Sequence, residues 1–386
     1  IKLMNIFGSG KVVHYLSTFS FRTKIKFFLK SRFKISPFSI NRNKIDILEY
    51  DFKKRKKILK YLDSDELTNF IVHYGVLYFM PLEFLEGFNK ISKIVSENLE
   101  KNQPEKIISS FGCMLDTYGS ILCSEASKIG TKIIGQQHGG AYHELKTSYF
   151  YNTELSFFDM FCTWGVMADK KHVPLSVPLL NNNYSLKGNK SNTIIWVTTC
   201  DSIYNYVVIN SIFGSRHLKY FEHQKSLYNH LNEDVRGKIK IRLYPYDLGW
   251  NVKSRWETIN KSIVFTDIKE NFIDQVLDAD FLIFDHVFGT TFLEAIAHNI
   301  PSIVIANKNI QLVSEFAKND YAKIRNAKIF FDDIEQAAEV INRNHSNITK
   351  WWNESGRQSI LKDFKKRYVY FNSHSFDNEW LEYLLD

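Results

Sequence analysis

The segment Asp280–Ile305, DFLIFDHVFGTTFLEAIAHNIPSIVI, carries residue types that could hold a nucleotide by its phosphate and its ribose. The apolar run FLIF predicts a buried strand, which ends in Asp285-His286, turns through Gly289 and opens a helix at Thr290-Thr291. A glycine at 289 lets backbone come close to a ligand. The unbonded N–H groups of a helix start, joined by the two threonine hydroxyls, make an anion site. Glu294 lies four and three residues beyond them, hence on the same helix face, where a carboxylate can accept two hydrogen bonds from a ribose 2′,3′-diol. The same letters fit an ordinary capped helix, with Glu294 at capping-box spacing from Thr291, and the two readings are compatible. Asp285 and His286 either support this loop or simply cap the strand end.

Two further segments place polar groups at strand ends. In GQQHGGAYHE, His138 follows a short apolar strand and is flanked by Gly135, Gly139 and Gly140, so the backbone is free to present it. It could meet a phosphate or sugar carboxylate as a cation, or take the proton of an attacking hydroxyl. Glu144 and Asp116 are the carboxylate alternatives for that base. Gln137, Gly139 and Gly140 are expected beside it on the acceptor side. In RLYPYDLGW, Arg242 ends a strand and Pro245 halts it, so Arg242 and Tyr244 are expected at the sheet's carboxyl edge; Arg242 serves there as a phosphate contact or as a structural ion pair.

Other matches are weak. Asp63-Ser64-Asp65 and Asp278-Ala279-Asp280 have the literal DxD form of a metal motif, but one stands at an expected helix start and the other between a helix and a buried strand. Gly8-Ser9-Gly10-Lys11 lacks the leading Gly and trailing Ser/Thr of a phosphate-binding P-loop. No HExxH, GxSxG or Cys/His cluster occurs, so neither a metal nor a cofactor is expected.

These residues need elements to position them, and the chain supplies strand–helix alternation twice. The first series has a helix over Leu82–Glu100, strands at 106–110, 132–135 and 157–163, and a helix over 116–129. Residues 174–192 interrupt it with Pro174, Pro178 and an Asn-rich polar run, the composition of a linker. The grammar then restarts, with strands at 193–199, 238–244, 262–265, 281–284 and 302–305 and helices at 215–230, 268–277 and 291–298. The expected organisation is an α/β chain with a first Rossmann-like domain over 1–173 on the acceptor side and a donor domain over 193–371. A final helix within 372–386 is expected to pack back on the first domain. Ligand sites in such layers lie at the carboxyl ends of the strands.

Composition agrees with a globular chain: 386 residues, 44% hydrophobic and 24% charged, with length for two domains. Of the net charge of +8, much is concentrated in 24–34 and in KKRKKILK at 53–60. Such runs attract phosphate-bearing partners. Without any nucleic-acid-binding signature, a peripheral contact with the anionic inner face of the cytoplasmic membrane is expected rather than nucleic acid. Four scattered cysteines and no visible signal peptide suggest a reducing, cytoplasmic compartment.

The unit GTTFLEAIAHNIPSIVI resembles the donor-site strand–loop–helix of GT-B glycosyltransferases. Taken in order with GQQHGGAYHE and RLYPYDLGW, over roughly residues 105–310, it resembles transferases of O-antigen and surface-polysaccharide loci. More distantly it is similar to capsule Kdo transferases and bacterial sialyltransferases, which use CMP-sugars. The resemblance implies two Rossmann-like domains facing across a cleft and metal-independent transfer of a sugar from a nucleotide donor to a glycan or lipid-linked acceptor. The donor would be held by Arg242, Tyr244, Asp285, His286, Gly289, Thr290, Thr291 and Glu294. In those CMP-sugar enzymes a His-Pro pair touches the donor phosphate, whereas Tyr244 precedes Pro245 here. A nucleotide-sugar 2-epimerase, a CDP-glycerol-type polyol-phosphate transferase and a non-catalytic binding partner are the alternatives.

Overall fold

A computed structural model describes residues 4, 8–40, 48–61, 66–110, 112–146, 149–181, 192–204, 214–287, 289–306 and 312–386. The expected polar linker run at 182–191 and Asp63-Ser64-Asp65 lie outside the described residues.

Two six-stranded sheets form the layers. The first has the order β2-β1-β3-β4-β5-β6, from β1 (Val12–Tyr15), β2 (Ile35–Pro37), β3 (Lys106–Ser109), β4 (Lys132–Gln136), β5 (Met160–Thr163) and β6 (His172–Pro174). The second runs β12-β11-β10-β7-β8-β9, from β7 (Ile194–Val197), β8 (Ile239–Arg242), β9 (Val264–Phe265), β10 (Phe281–Phe284), β11 (Ser302–Ile305) and β12 (Phe330–Phe331). The registered pairings are parallel. β7, β10 and β11 are buried at every residue, as expected of parallel strands covered on both faces, and that burial is why they read as continuous apolar runs. The strands read from sequence are present; 281–284 and 302–305 match, β4 runs one residue further, and the others are trimmed. β1, β2, β6 and β12 were not legible; β2, β6 and β12 carry only two or three residues.

Packing divides the chain into two compact units. The first comprises 1–138, 154–162 and 377–386; the second comprises 139–153 and 163–376. The chain thus crosses more often than one cut within 174–192 would allow, and Gly139–Thr153 groups with the second unit.

In the first unit, helix α1 (Phe21–Lys30) follows β1, and α2 (Phe52–Ile58) and α3 (Glu66–Tyr74) lead to α4 (Phe88–Asn102). Helix α5 (Thr117–Lys128) begins at Asp116, whose carboxylate caps it by accepting from Gly119 N–H at 2.9 Å. Cys113 and Cys123 are joined as a disulfide, a pairing that the scattered spacing does not point to, while Cys162 and Cys200 are free and buried. The last helix, α9 (Phe376–Leu385), is shorter than expected and from Asp377 onward belongs to this unit. Its Trp380 ring meets Phe19 edge-on at 4.9 Å, and Asp377 pairs with Lys26 and Lys30.

In the second unit, α6 (Arg216–His230), α7 (Thr290–Ala297) and α8 (Ser355–Tyr368) cover the sheet. The sheet's order reverses at β7. The chain adds β8 and β9 on one side, then returns to add β10, β11 and β12 on the other. The crevice at such a reversal is where open α/β sheets take ligands.

Candidate functional site

Val197 is registered with Phe284 on one side and with Arg242 on the other, so β7, β8 and β10 end at one level. The segments leaving those three ends line a cavity of about 480 Å³. Its walls include Val197, Thr198 and Thr199 after β7, Arg242, Leu243, Tyr244 and Pro245 after β8, and His286, Val287, Gly289, Thr290 and Thr291 after β10. All of these belong to the second unit, as do Ala141 and Leu145, which complete the wall with Phe272.

Helix α7 opens directly on this cavity. Its N-cap is Gly289, in an extended conformation and without a side-chain cap, so the first-turn N–H groups receive no bond from that position. The glycine is favoured by space rather than by backbone angle, since a Cβ would make the His286 ring shift. A Cβ there would lie 2.9 Å from His286 Nε2 and 3.4 Å from Thr291 Oγ1.

Asp285, one of the expected donor ligands, is instead used inside the fold. Its carboxylate accepts from Trp196 Nε1–H at 2.7 Å, Tyr220 O–H at 2.6 Å and Gln224 Nε2–H at 2.7 Å. His286 Nδ1 lies 3.3 Å from the same carboxylate. Tyr220 Oη also accepts from Thr199 N–H at 3.0 Å, so one network ties β7, α6 and the loop after β10. Orienting His286 through Nδ1 leaves Nε2 toward Gly289 and the start of α7.

Arg242 is buried and spends part of its donor set within the protein, on Gln275 Oε1 and, at 3.1 Å, on the Glu270 carbonyl. Burial lowers its pKa, opposed by the charges of Glu270, Asp267 and Glu294. Glu294, one turn into α7, is 9% exposed, and its carboxylate has no hydrogen-bond partner among the described residues. Burial pushes its pKa up to about 7, with Arg242 opposing. A buried carboxylate with open acceptor capacity beside an uncapped helix start suits a ligand bearing both hydroxyls and an anion.

The loop after β4 contributes through its glycines. Gly140 N–H donates to Thr290 Oγ1 at 3.1 Å, and a Cβ on Gly139 would lie 2.8 Å from that oxygen. Gly139→Ala is therefore expected to push the loop off Thr290, lowering the unfolding free energy by about 1–2 kcal/mol in denaturant melts and weakening anion binding.

The other sequence-derived candidates are placed elsewhere. Gln137 and His138 belong to the first unit, where His138 Nδ1 lies 3.6 Å from Glu154. Burial lowers the His138 pKa to about 4, so the ring is neutral at pH 7 and proton acceptance is the role open to it. Asp116, also in the first unit, caps α5 and accepts from Tyr15 O–H. Glu144 is buried in the second unit, accepting from Ala141 N–H at 2.8 Å and Tyr321 O–H at 3.1 Å. Burial pushes its pKa up to about 7. These bonds give Asp116 and Glu144 structural work as loop and helix caps.

Sequence reading missed Thr198 and Thr199, although their place after β7 was available from the TIIWVTT strand once β7 is known to be the point of reversal. Phe272 and Leu145 carry no such signal. Among the described residues there is no cluster of His, Cys, Asp or Glu arranged to hold a metal ion.

A search of curated proteins gives no match. Among solved structures, the chain is similar to the UDP-GlcNAc 2-epimerase from Neisseria meningitidis bound to UDP-GlcNAc, with TM-score 0.50 and 9% identity over 97% of this chain and 99% of that one. It is also similar to S. aureus MnaA in its UDP co-structure, at TM-score 0.47 and 9% identity over 95% and 93% of the two chains. A Thermobaculum terrenum O-GlcNAc transferase mutant matches at TM-score 0.41 and 12% identity, covering 97% of this chain and 68% of that one. With two parallel six-stranded sheets, the fold is α/β of the GT-B type. The family model for LIC12162 family transferases matches residues 2–384, and the chain belongs to that transferase family.

Proposed function

We propose that this transferase moves a sugar from a nucleotide donor bound in the second unit to a glycan acceptor of the bacterial surface. The observation that carries the reading is the cavity at the β7/β10 reversal, lined by an uncapped helix start, Thr291 and Arg242, with the buried carboxylate of Glu294 one turn further along the same helix. The first-turn N–H groups of α7 and the threonine hydroxyls hold the leaving phosphate, and Arg242 offsets its growing charge by preorganised electrostatics. Glu294 accepts from the ribose diol. His286, oriented by Asp285, presents Nε2 at the helix start. Tyr244, exposed at the rim, meets the base or sugar. Cationic groups and the helix dipole supply the neutralisation that a metal gives elsewhere, so we propose metal-independent transfer. His138 is the first candidate to accept the proton of the attacking hydroxyl.

The resemblance to CMP-sugar enzymes makes a CMP-activated Kdo-type or nonulosonic acid the first donor to test, with UDP-sugars second. The test is a thermal-shift panel of CMP, CDP, UDP, GDP and their sugar conjugates, with and without chelator. One nucleotide at about 100 times its Kd should stabilise the chain by about 2.7 kcal/mol, unchanged by chelator. A flat panel would overturn the donor site. Donor consumed without acceptor would replace transfer by epimerisation.

A further inference from the structure

In the first unit, α3 and the single π-helical turn after it, Gly75–Phe79, present an apolar face to solvent. Leu67, Phe70, Ile71, Tyr74 and Tyr78 recur at helical spacing, and Phe79 adjoins them. All six are exposed, Phe70 at 67% and Phe79 at 71%. Their rings associate with one another: Tyr74 lies 6.1 Å from Phe70, 4.9 Å from Tyr78 and 5.7 Å from Phe79, centroid to centroid. A contiguous aromatic face left in water is costly and marks an interaction surface.

This face is fixed to a basic helix. On α2, Arg55 is buried and bonds Glu86 through two nitrogens, at 2.7 and 2.9 Å. Its Nη1 donates to the carbonyls of Val76 and Leu77 in the π turn, at 2.9 and 3.3 Å. Tyr50 O–H donates to the same Leu77 carbonyl at 2.6 Å. The aromatic face is thereby pinned beside Lys53, Lys56, Lys57 and Lys60, which are exposed and have no ion pair among the described residues.

We propose that α2, α3 and the π turn form a docking surface for an anionic lipid membrane. The aromatic side chains enter the boundary between headgroups and acyl chains, and the α2 lysines meet the lipid phosphates. Charge complementarity selects this occupant, because a second copy of the chain would set these lysines against each other. Helix α1 also exposes an apolar stripe, Phe21, Ile25 and Leu29, but its Lys26 and Lys30 share an ion pair with Asp377, which offsets part of their charge. Among the described residues no helix is long and apolar enough to cross a membrane, so the contact is peripheral. The inference stands independently of the donor site.

The experiment is flotation of the full chain with vesicles of phosphatidylcholine alone or mixed with phosphatidylglycerol. Wild type should float with the anionic vesicles. Binding should fall at least about tenfold on neutral vesicles, for Phe70→Ser/Phe79→Ser and for Lys53→Glu/Lys56→Glu/Lys57→Glu. The substituted residues are exposed, so melting temperatures should stay at the wild-type value; a variant that melts early is replaced by its single substitutions. Failure of wild type to float on anionic vesicles would overturn the proposal, as would variants that float equally well. A dimer that Phe70→Ser/Phe79→Ser dissociates, without vesicle binding, would make the face a self-interface instead.

Discussion

Glu294→Gln is expected to weaken nucleotide-donor binding by roughly tenfold to a hundredfold at pH 8 while making the fold more stable there. The two effects have one cause. The carboxylate is enclosed with no hydrogen-bond partner among the described residues, and burial raises its pKa to about 7 in the folded chain against the ordinary 4.5. A carboxyl whose folded pKa is raised contributes stability that is fully present below the unfolded pKa and is lost as pH rises from about 4.5 through about 7. Above that window wild type has lost about 3 kcal/mol relative to the neutral amide. The variant should therefore unfold later than wild type at pH 8, with the advantage gone at pH 4. Glu144 has the same raised pKa, so the slope of wild type alone reports both groups. Only the difference between variant and wild type assigns the effect to Glu294.

Binding supplies the functional half. A ribose diol donates to the ionised carboxylate, so donor affinity of wild type should fall about tenfold for each pH unit below 7, while that of the variant stays flat. Calorimetric titration across that range checks both statements. Equal donor affinity of variant and wild type at pH 8 would remove Glu294 from the site.

Asp285→Ala should lower the stability of the second unit by about 3–5 kcal/mol, the usual consequence of deleting one partner of a buried charged network. Trp196, Tyr220 and Gln224 would each face a void with an unpaired donor, and β7, α6 and the loop after β10 would lose their common tie. Asp285→Asn keeps the shape but turns an N–H₂ toward other donors, so it should fall between wild type and alanine. Denaturant midpoints of the second-unit transition measure this. A loss below about 1 kcal/mol would show that the surrounding packing, not the carboxylate, joins the three elements.

The segment Asp280–Ile305 marks how far local pattern reaches. FLIF was legible as a strand because parallel strands bury both faces, and GTTFLEAIAHN as a helix because its apolar residues recur at helical spacing. The same spacing puts Glu294 on the helix face of Thr290 and Thr291, which line the cavity, since four residues make about one turn. Asp285 was not legible. Its partners lie 89, 65 and 61 residues away in sequence, and a carboxylate at a strand end looks the same whether it faces a ligand or three buried donors.

Gly139 and Gly140 show the complementary failure. Their flexibility was evident, but only packing decides that they group with the second unit and rest on Thr290. The α3 stripe is a third case, because an apolar face at helical spacing ordinarily points to a core. The sequence by itself determined where most of the strands run, which strand end opens a helix with Gly, Thr and Glu on one face, and where positive charge is dense. Each of these depends on residues within a few turns of one another. Tertiary structure alone decided which polar groups are already satisfied, which unit each loop joins and which apolar face stays uncovered. Those outcomes depend on which distant side chains arrive, and local periodicity carries no information about their arrival.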